Sequence, residues 1–161
     1  MREKKYNREK AVEYAHKWAY SRNPAYYNFD PVGGDCTSFV SQCIYAGSKV
    51  MNYQTNLGWY YRNGNDKSPS WSGVEYLYQF LIHNKGVGPY GKKATQEELE
   101  RGDIIQLLLQ GEQFGHTAVI VEKRDSRLWV ATHTFDSDYR DPETYPYQKV
   151  RYIHIQGVRN W

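Results

Sequence analysis

The sequence contains only two cysteines and no long hydrophobic segment. Its most apolar run, at 104–109, is far too short to span a bilayer, and residues 1–5 lead into an amphipathic helix, not an apolar signal segment. We therefore expect a soluble chain without a membrane partner, either cytoplasmic or cut from an exported cell-surface parent. On one helix, Cys36 and Cys43 would have Cα atoms about 10 Å apart, beyond the roughly 7 Å that a disulfide bridges, so we expect free thiols.

Several common ligand motifs are also missing. The sequence has no Cys-x-x-Cys or His-x-x-x-His pair for zinc, no Gly-x-Ser-x-Gly elbow, and no phosphate-binding or dinucleotide-binding loop. Neither a metal nor a cofactor is predicted. The formal net charge of +3, with interspersed signs, gives no reason to expect nucleic acid as a partner. No linker, repeat or low-complexity tract divides the 161 residues, so a single domain over 1–161 is expected.

The most informative segment is 33–42, which reads Gly-Gly-Asp-Cys-Thr-Ser-Phe-Val-Ser-Gln. Two glycines give the backbone freedom ahead of Asp35, a good N-cap, and an amphipathic helix is predicted over 35–47. A thiol at Cys36 would then meet the positive end of the helix dipole, which favours the nucleophilic thiolate. The same helical spacing also fits a core-lining role for Cys36, as it does for Cys43.

A possible partner for Cys36 is His116, which follows a glycine-containing turn and precedes the β-branched run 117–121. A second predicted strand over 128–132 leads to His133, and an antiparallel hairpin would place His133 close to His116. Cysteine catalysis needs an imidazole base and a third polar group that orients it. We predict Cys36, His116 and His133 in these roles, with Asp136 as the alternative orienting residue.

The periodicity predicts helices before strands. Helices are expected over 7–21, 35–47 and 74–84, with a short helical turn over 95–100 that begins in a Thr95–Glu98 capping box. Strands are expected over 104–109, 117–122, 128–133 and 150–155. This order, without β-α-β alternation, favours an α+β domain.

The chain is rich in aromatic residues, with sixteen tyrosines and five tryptophans. Those in predicted loops either pack in the core or grip a sugar or peptide, and Trp59 and Trp71 are candidates for the second role. An oxyanion hole needs donors, and the backbone N–H of Cys36 is the first candidate. A side chain just ahead of the nucleophile, Tyr27 or Asn28, is the candidate for the second donor.

Four segments occur in an order that resembles a known family: 35–42, then Arg-Gly-Asp-Ile-Ile-Gln-Leu at 101–107, Gly-His-Thr-Ala-Val-Ile at 115–120, and Ala-Thr-His-Thr at 131–134. Together they resemble the papain-like cysteine hydrolases of the NlpC and CHAP type, and more closely the bacterial "putative amidase domain" group. The resemblance implies N-terminal helices packed on a small antiparallel sheet. It also implies cleavage of amide bonds, commonly in cell-wall peptides, with Cys36 as nucleophile, His116 as general base and His133 as orienting residue.

From these residues we expect a cysteine amidase or peptidase that acts through a thioester on a peptide or peptidoglycan-type amide. Two alternatives stay open at the level of the sequence. A non-catalytic module would hold cell-wall glycan or peptide through the aromatic loops, and an acyl transferase would pass the same thioester to an amine. The sequence leaves the bond cleaved and the oligomeric state undetermined.

Overall fold

The computed structural model describes residues 1–161 and has one helix, α2 (Cys36–Ser48), at its centre. The four α-helices are α1 (Arg8–Trp18), α2 (Cys36–Ser48), α3 (Pro69–Ser72) and α4 (Val74–His83). Eleven of the thirteen residues of α2 are buried, because α1 and α3 cover it on one side and the sheet on the other. Helix α1 begins at an Asn7 cap, whose side chain accepts a hydrogen bond from the Lys10 N–H.

Seven of the nine strands form one antiparallel sheet, and β2 and β3 form a separate two-stranded hairpin. The strands are β1 (Arg2–Lys4), β2 (Tyr61–Asn63), β3 (Asp66–Lys67), β4 (Gly88–Ala94), β5 (Ile104–Leu108), β6 (His116–Arg124), β7 (Arg127–Thr132), β8 (Ser137–Arg140) and β9 (Lys149–Asn160). Strand β9 pairs with β4 along one edge and with β5 and β1 along the other, and β6, β7 and β8 follow β5 in that order.

The two faces of this sheet carry separate clusters of buried side chains. On the helix face, Val119 and Ala131 pack with Phe39 of α2. On the opposite face, which we call the outer face, Ala118 and Val130 pack with other side chains. Because strand side chains alternate between faces, the parity of a residue in β6 or β7 decides which face it serves.

Asp103 ties the start of β5 to the helices and to β9. Its buried carboxylate accepts hydrogen bonds from the Arg8 guanidinium at 2.8 Å and from the Ile155 N–H at 2.9 Å. It also accepts from the Glu100 N–H and lies 2.7 Å from a ring nitrogen of His154. The Arg-Gly-Asp segment therefore serves the scaffold, since a buried charge with this many partners fixes three elements together.

The α+β class and the antiparallel sheet predicted from the sequence are confirmed. So is the Thr95–Glu98 capping box, which begins a short 3-10 helix. The predicted first helix is shorter than expected and ends at Trp18, whereas β9 runs on to Asn160. Strands β1, β2, β3, β4 and β8 were not predicted, because they are short or glycine-containing and form only through their neighbours. No helix has the length and apolar character needed to cross a membrane.

Candidate active site

Cys36 is the first residue of α2, and the residue ahead of it is not used as a side-chain cap. The Asp35 carbonyl accepts the first helical hydrogen bond, from the Phe39 N–H at 2.9 Å. Its carboxylate turns away, to the Phe29 N–H at 2.9 Å and to the ring of His133. The first-turn N–H groups of α2, including that of Cys36, therefore have no side-chain acceptor and can donate to an oxygen that carries negative charge.

The Cys36 side chain is 7% exposed and lies against the start of β6. Its sulfur is 3.8 Å from the Thr37 hydroxyl, which in turn is 2.9 Å from the Thr117 hydroxyl. Burial raises the pKa of the Cys36 thiol, and a hydrogen bond from the backbone of Thr117 offsets only part of this effect. This direction runs against the predicted thiolate, because burial favours the neutral thiol.

His116 opens strand β6 and is 3% exposed. Burial and, to a smaller extent, the positive charge of Arg140 lower its pKa to about 4, so the imidazole is neutral at pH 7. No hydrogen bond joins this ring to the Cys36 sulfur. The two residues meet through Thr117, which follows His116 in the chain and whose backbone lies within hydrogen-bond reach of the sulfur. The structure thus brings the predicted cysteine and histidine to one end of the sheet.

His133 does not orient His116. One ring nitrogen lies 2.6 Å from the Asp35 carboxylate and the other 2.8 Å from the Trp18 carbonyl, while the ring stacks on Phe39 at 4.0 Å. The register explains the error: Val119 is opposite Ala131, so His133 belongs to the helix face and His116 to the outer face. His133 instead anchors the segment that leads into Cys36.

Asp136 is not an orienting residue either. Its carboxylate accepts two hydrogen bonds from the Arg22 guanidinium, at 2.8 and 3.0 Å, and it has no contact with His116. The polar side chain in contact with the His116 ring is Thr132, whose hydroxyl lies 3.4 Å from Nε2. With the register of the hairpin known, the alternation of side chains along β7 would have predicted Thr132, and not His133, as the residue on the same face as His116.

Trp59 and Trp71 cannot touch a substrate, because both are fully buried. Their rings lie 5.0 Å apart in the core, and the Trp59 N–H donates to the Ser41 hydroxyl of α2. The prediction that they bind substrate was wrong, since both pack in the core around α2. Trp59 lies in a loop, and Trp71 lies in α3. Their burial also removes two of the aromatic residues on which the wall-binding alternative depends.

Tyr27 and Asn28 lie in the segment ahead of the nucleophile helix. The Tyr27 ring packs on Phe29 at 4.9 Å, and its backbone N–H donates to the Tyr61 hydroxyl. The Asn28 side chain accepts from the Asp30 N–H and so closes a local turn. Neither side chain has a contact with Cys36, and their role as oxyanion donors stays a prediction.

Two further residues lie beside His116: Tyr145, one of the aromatic residues in predicted loops, and Arg140, which sequence reasoning missed. The Tyr145 ring lies 5.2 Å from the His116 ring, is 6% exposed, and carries a buried hydroxyl without a hydrogen-bond partner. The Arg140 guanidinium carbon lies 3.7 Å from the Tyr145 ring centre. Both follow a turn in which Thr134 and Phe135 adopt left-handed backbone conformations. The residue types in this turn do not predict such conformations, which glycine usually adopts.

Fold and site together define an α+β domain that holds a buried cysteine at a helix start next to the beginning of a histidine-bearing strand. Residues 5–156 match the family described as "Putative amidase domain", and the chain belongs to this family.

Two similar proteins come from Bacillus subtilis (strain 168). "Uncharacterized protein YhbB" is 33% identical over 160 residues, which are 93% of this chain and 50% of that protein. "Uncharacterized protein YjcM" is 23% identical over 139 residues, 81% of this chain and 31% of that protein. The chain thus spans half or less of the length of these relatives. No solved structure matches.

Proposed function

We propose that this domain is a papain-like cysteine amidase or peptidase of the NlpC and CHAP type. The observation that carries the proposal is the position of Cys36, at the start of α2, where no side chain caps the helix, and next to the backbone of Thr117, the residue that follows His116 in the chain. The family description supports an amide as the substrate class. Cell-wall peptides are our proposed source of that amide.

The proposed reaction begins with both partners neutral. The Cys36 sulfur attacks the amide carbonyl and forms a C–S bond while its proton passes to the His116 imidazole. The resulting imidazolium gives this proton to the leaving nitrogen as the C–N bond breaks, which frees the amine and leaves a thioester. Water, deprotonated by His116, then adds to the thioester and releases the acid and the thiol.

Two features of the fold support this chemistry. The first-turn N–H groups of α2 can donate to the oxyanion, because no side chain occupies them. Asp35 and His133 act as positioning residues: their pairing at 2.6 Å anchors the loop that delivers Cys36 to the end of the sheet.

The test is digestion of purified peptidoglycan, with the released pieces identified by mass spectrometry and new amino groups counted. Wild-type protein and the Cys43→Ala control should release the same fragments, and Cys36→Ala should release none. Adding a competing amine to the assay separates hydrolysis from acyl transfer, since a transferase attaches that amine to the product. Equal release by the Cys36→Ala variant would contradict cysteine catalysis.

A further inference from the structure

Arg140 differs from most arginines of the chain in having no acidic partner. Eight of the ten arginines have a carboxylate oxygen within 4.0 Å. They are Arg8, Arg22, Arg62, Arg101, Arg124, Arg127, Arg151 and Arg159. The other exception is Arg2, which lies in the exposed strand β1 at the far end of β9. Arg140 is the one unpaired guanidinium at the candidate active site.

The fold places Arg140 on the same face of the sheet as His116. Strand β8 pairs with β7 so that Arg140 is opposite Val130, a residue of the outer face. Its guanidinium carbon is 3.7 Å from the Tyr145 ring centre, which is 5.2 Å from the His116 ring centre. The guanidinium therefore lies within about 9 Å of the imidazole, the sum of these two distances.

The guanidinium is held in place yet keeps donors free. Its ring contact with Tyr145 is a cation–π interaction, and Nε donates to the Thr144 hydroxyl at 2.8 Å. Nη1 makes no hydrogen bond, and Nη2 reaches only the Thr144 carbonyl at 3.5 Å. A half-buried, pre-oriented guanidinium with free N–H groups matches the two oxygens of a carboxylate. The positive charge of Arg140 reaches the His116 ring, whose pKa it helps to lower.

We propose that Arg140 binds a carboxylate of the substrate next to the scissile amide. The substrate class is then an amide whose carbonyl carbon lies one or two residues from a free carboxylate, because each extended residue spans about 3.3–3.6 Å. This inference rests on the proposed function and adds to it the group that the enzyme selects.

The experiment compares two forms of the same probe, cell-wall stem peptides with free carboxylates and those peptides after conversion of their carboxylates to primary amides. Wild-type protein should cleave the carboxylate form with a kcat/KM about 10- to 100-fold higher, the range expected for one charged hydrogen-bonded pair. Arg140→Gln should lose this preference mainly through KM. Arg140→Lys keeps the positive charge but loses the paired N–H donors of the guanidinium, so this variant should retain part of the preference for the carboxylate form.

Arg127→Gln is the matched control, since Arg127 is exposed and pairs with Asp141 at the surface. It should keep the full preference. A wild-type enzyme without preference, or an Arg140→Gln variant that retains it, would overturn the proposal.

Calorimetric titration of both peptide forms into Cys36→Ala and Cys36→Ala/Arg140→Gln protein separates the two proposals. Cleavage of neither form would refute the amidase function, whereas tighter binding of the carboxylate form only when Arg140 is present would still support this inference. Equal binding of both forms would refute it.

Discussion

Cys36 and His116 rest in their neutral forms because burial disfavours both charged species. In the proposed reaction, the thiol proton therefore leaves the sulfur only as the carbonyl is attacked. A thiol is also a poor target for oxidants and alkylating agents compared with a thiolate. At the scale of single residues, the proposed mechanism therefore predicts a site that reacts only with a bound substrate.

We expect iodoacetamide to modify Cys36 slowly at pH 7 and increasingly faster above pH 9, because burial raises the pKa of its thiol. Cys43 should stay unmodified in the native protein, since it is fully buried and its pKa is raised further still. Peptide mapping after timed labelling measures both rates. Fast labelling of Cys36 that is independent of pH between 6 and 8 would instead indicate a thiolate at rest.

His116 should make the protein less stable in acid. Its pKa is about 4 in the folded state against an ordinary 6.5, so between these values the unfolded chain binds a proton that the native protein does not. Stability from this residue is complete above pH 6.5 and falls by about 3 kcal/mol as the pH drops to 4.

Urea unfolding of wild-type protein and His116→Gln at pH 7 and pH 4.5 isolates this effect, because the other titrating groups are common to both. The free-energy difference between the two proteins should move by about 2.5 kcal/mol in favour of the variant at the lower pH. A difference that is the same at both pH values would refute the assignment.

Cys36 and His116 stay predictions as catalytic residues, and most of the side chains around them were not predicted. Cys36 was found through the glycine, aspartate and helix pattern, and His116 through the turn and the β-branched run. Tyr145 and Arg140 reach the site through a left-handed turn and a four-residue strand, which only tertiary pairing stabilises. His133 was placed on the wrong face because a hairpin's parity follows from its register, which the sequence leaves open.

At the scale of elements, the loop ahead of α2 is anchored by a buried contact between Asp35 and His133, both at most 2% exposed in their side chains. Removing one partner should cost about 3 kcal/mol or more, because it leaves the other polar group buried without its partner. A double-mutant cycle with Asp35→Ala and His133→Ala, measured by urea unfolding, should give a coupling energy of about 1–3 kcal/mol.

The chain offers a matched control for this cycle in His16 and Asp138, which are 2.8 Å apart but more exposed, at 29% and 12%. Water screens that pair, so its coupling energy should be smaller, about 1 kcal/mol or less. Equal coupling in the two pairs would show that burial does not strengthen the anchor.

Element prediction succeeded where periodicity was local and strong, as in α2, α4 and the strands β5 to β7. It failed for β4 and β1, which flank β9 on opposite edges. Strand β4 begins with Gly88 and Pro89, and β1 alternates charges, so neither carries an apolar strand pattern. Their conformation is imposed by the twelve residues of β9, to which they pair.

At the scale of the whole molecule, Trp71 helps to join the helices to the loops around the β2–β3 hairpin. Trp71→Ala should reduce the free energy of unfolding by about 3–5 kcal/mol, because it empties a fully buried site. Trp161→Ala is the control, since Trp161 is 80% exposed, and it should change stability by about 0.5 kcal/mol or less. Unchanged stability together with lost peptide binding in Trp71→Ala would restore the idea of a substrate contact.

The position of β9 has a consequence for biosynthesis. This strand is made after all its partners, yet it lies between β4 on one side and β5 and β1 on the other. A ribosome-bound chain that stops short of residue 149 has no template on which to align them, and contacts between distant segments form slowly in any case. Until residues 149–160 are made, β4, β5 and β1 have no common strand to pair with, so the sheet is complete only after this segment is available.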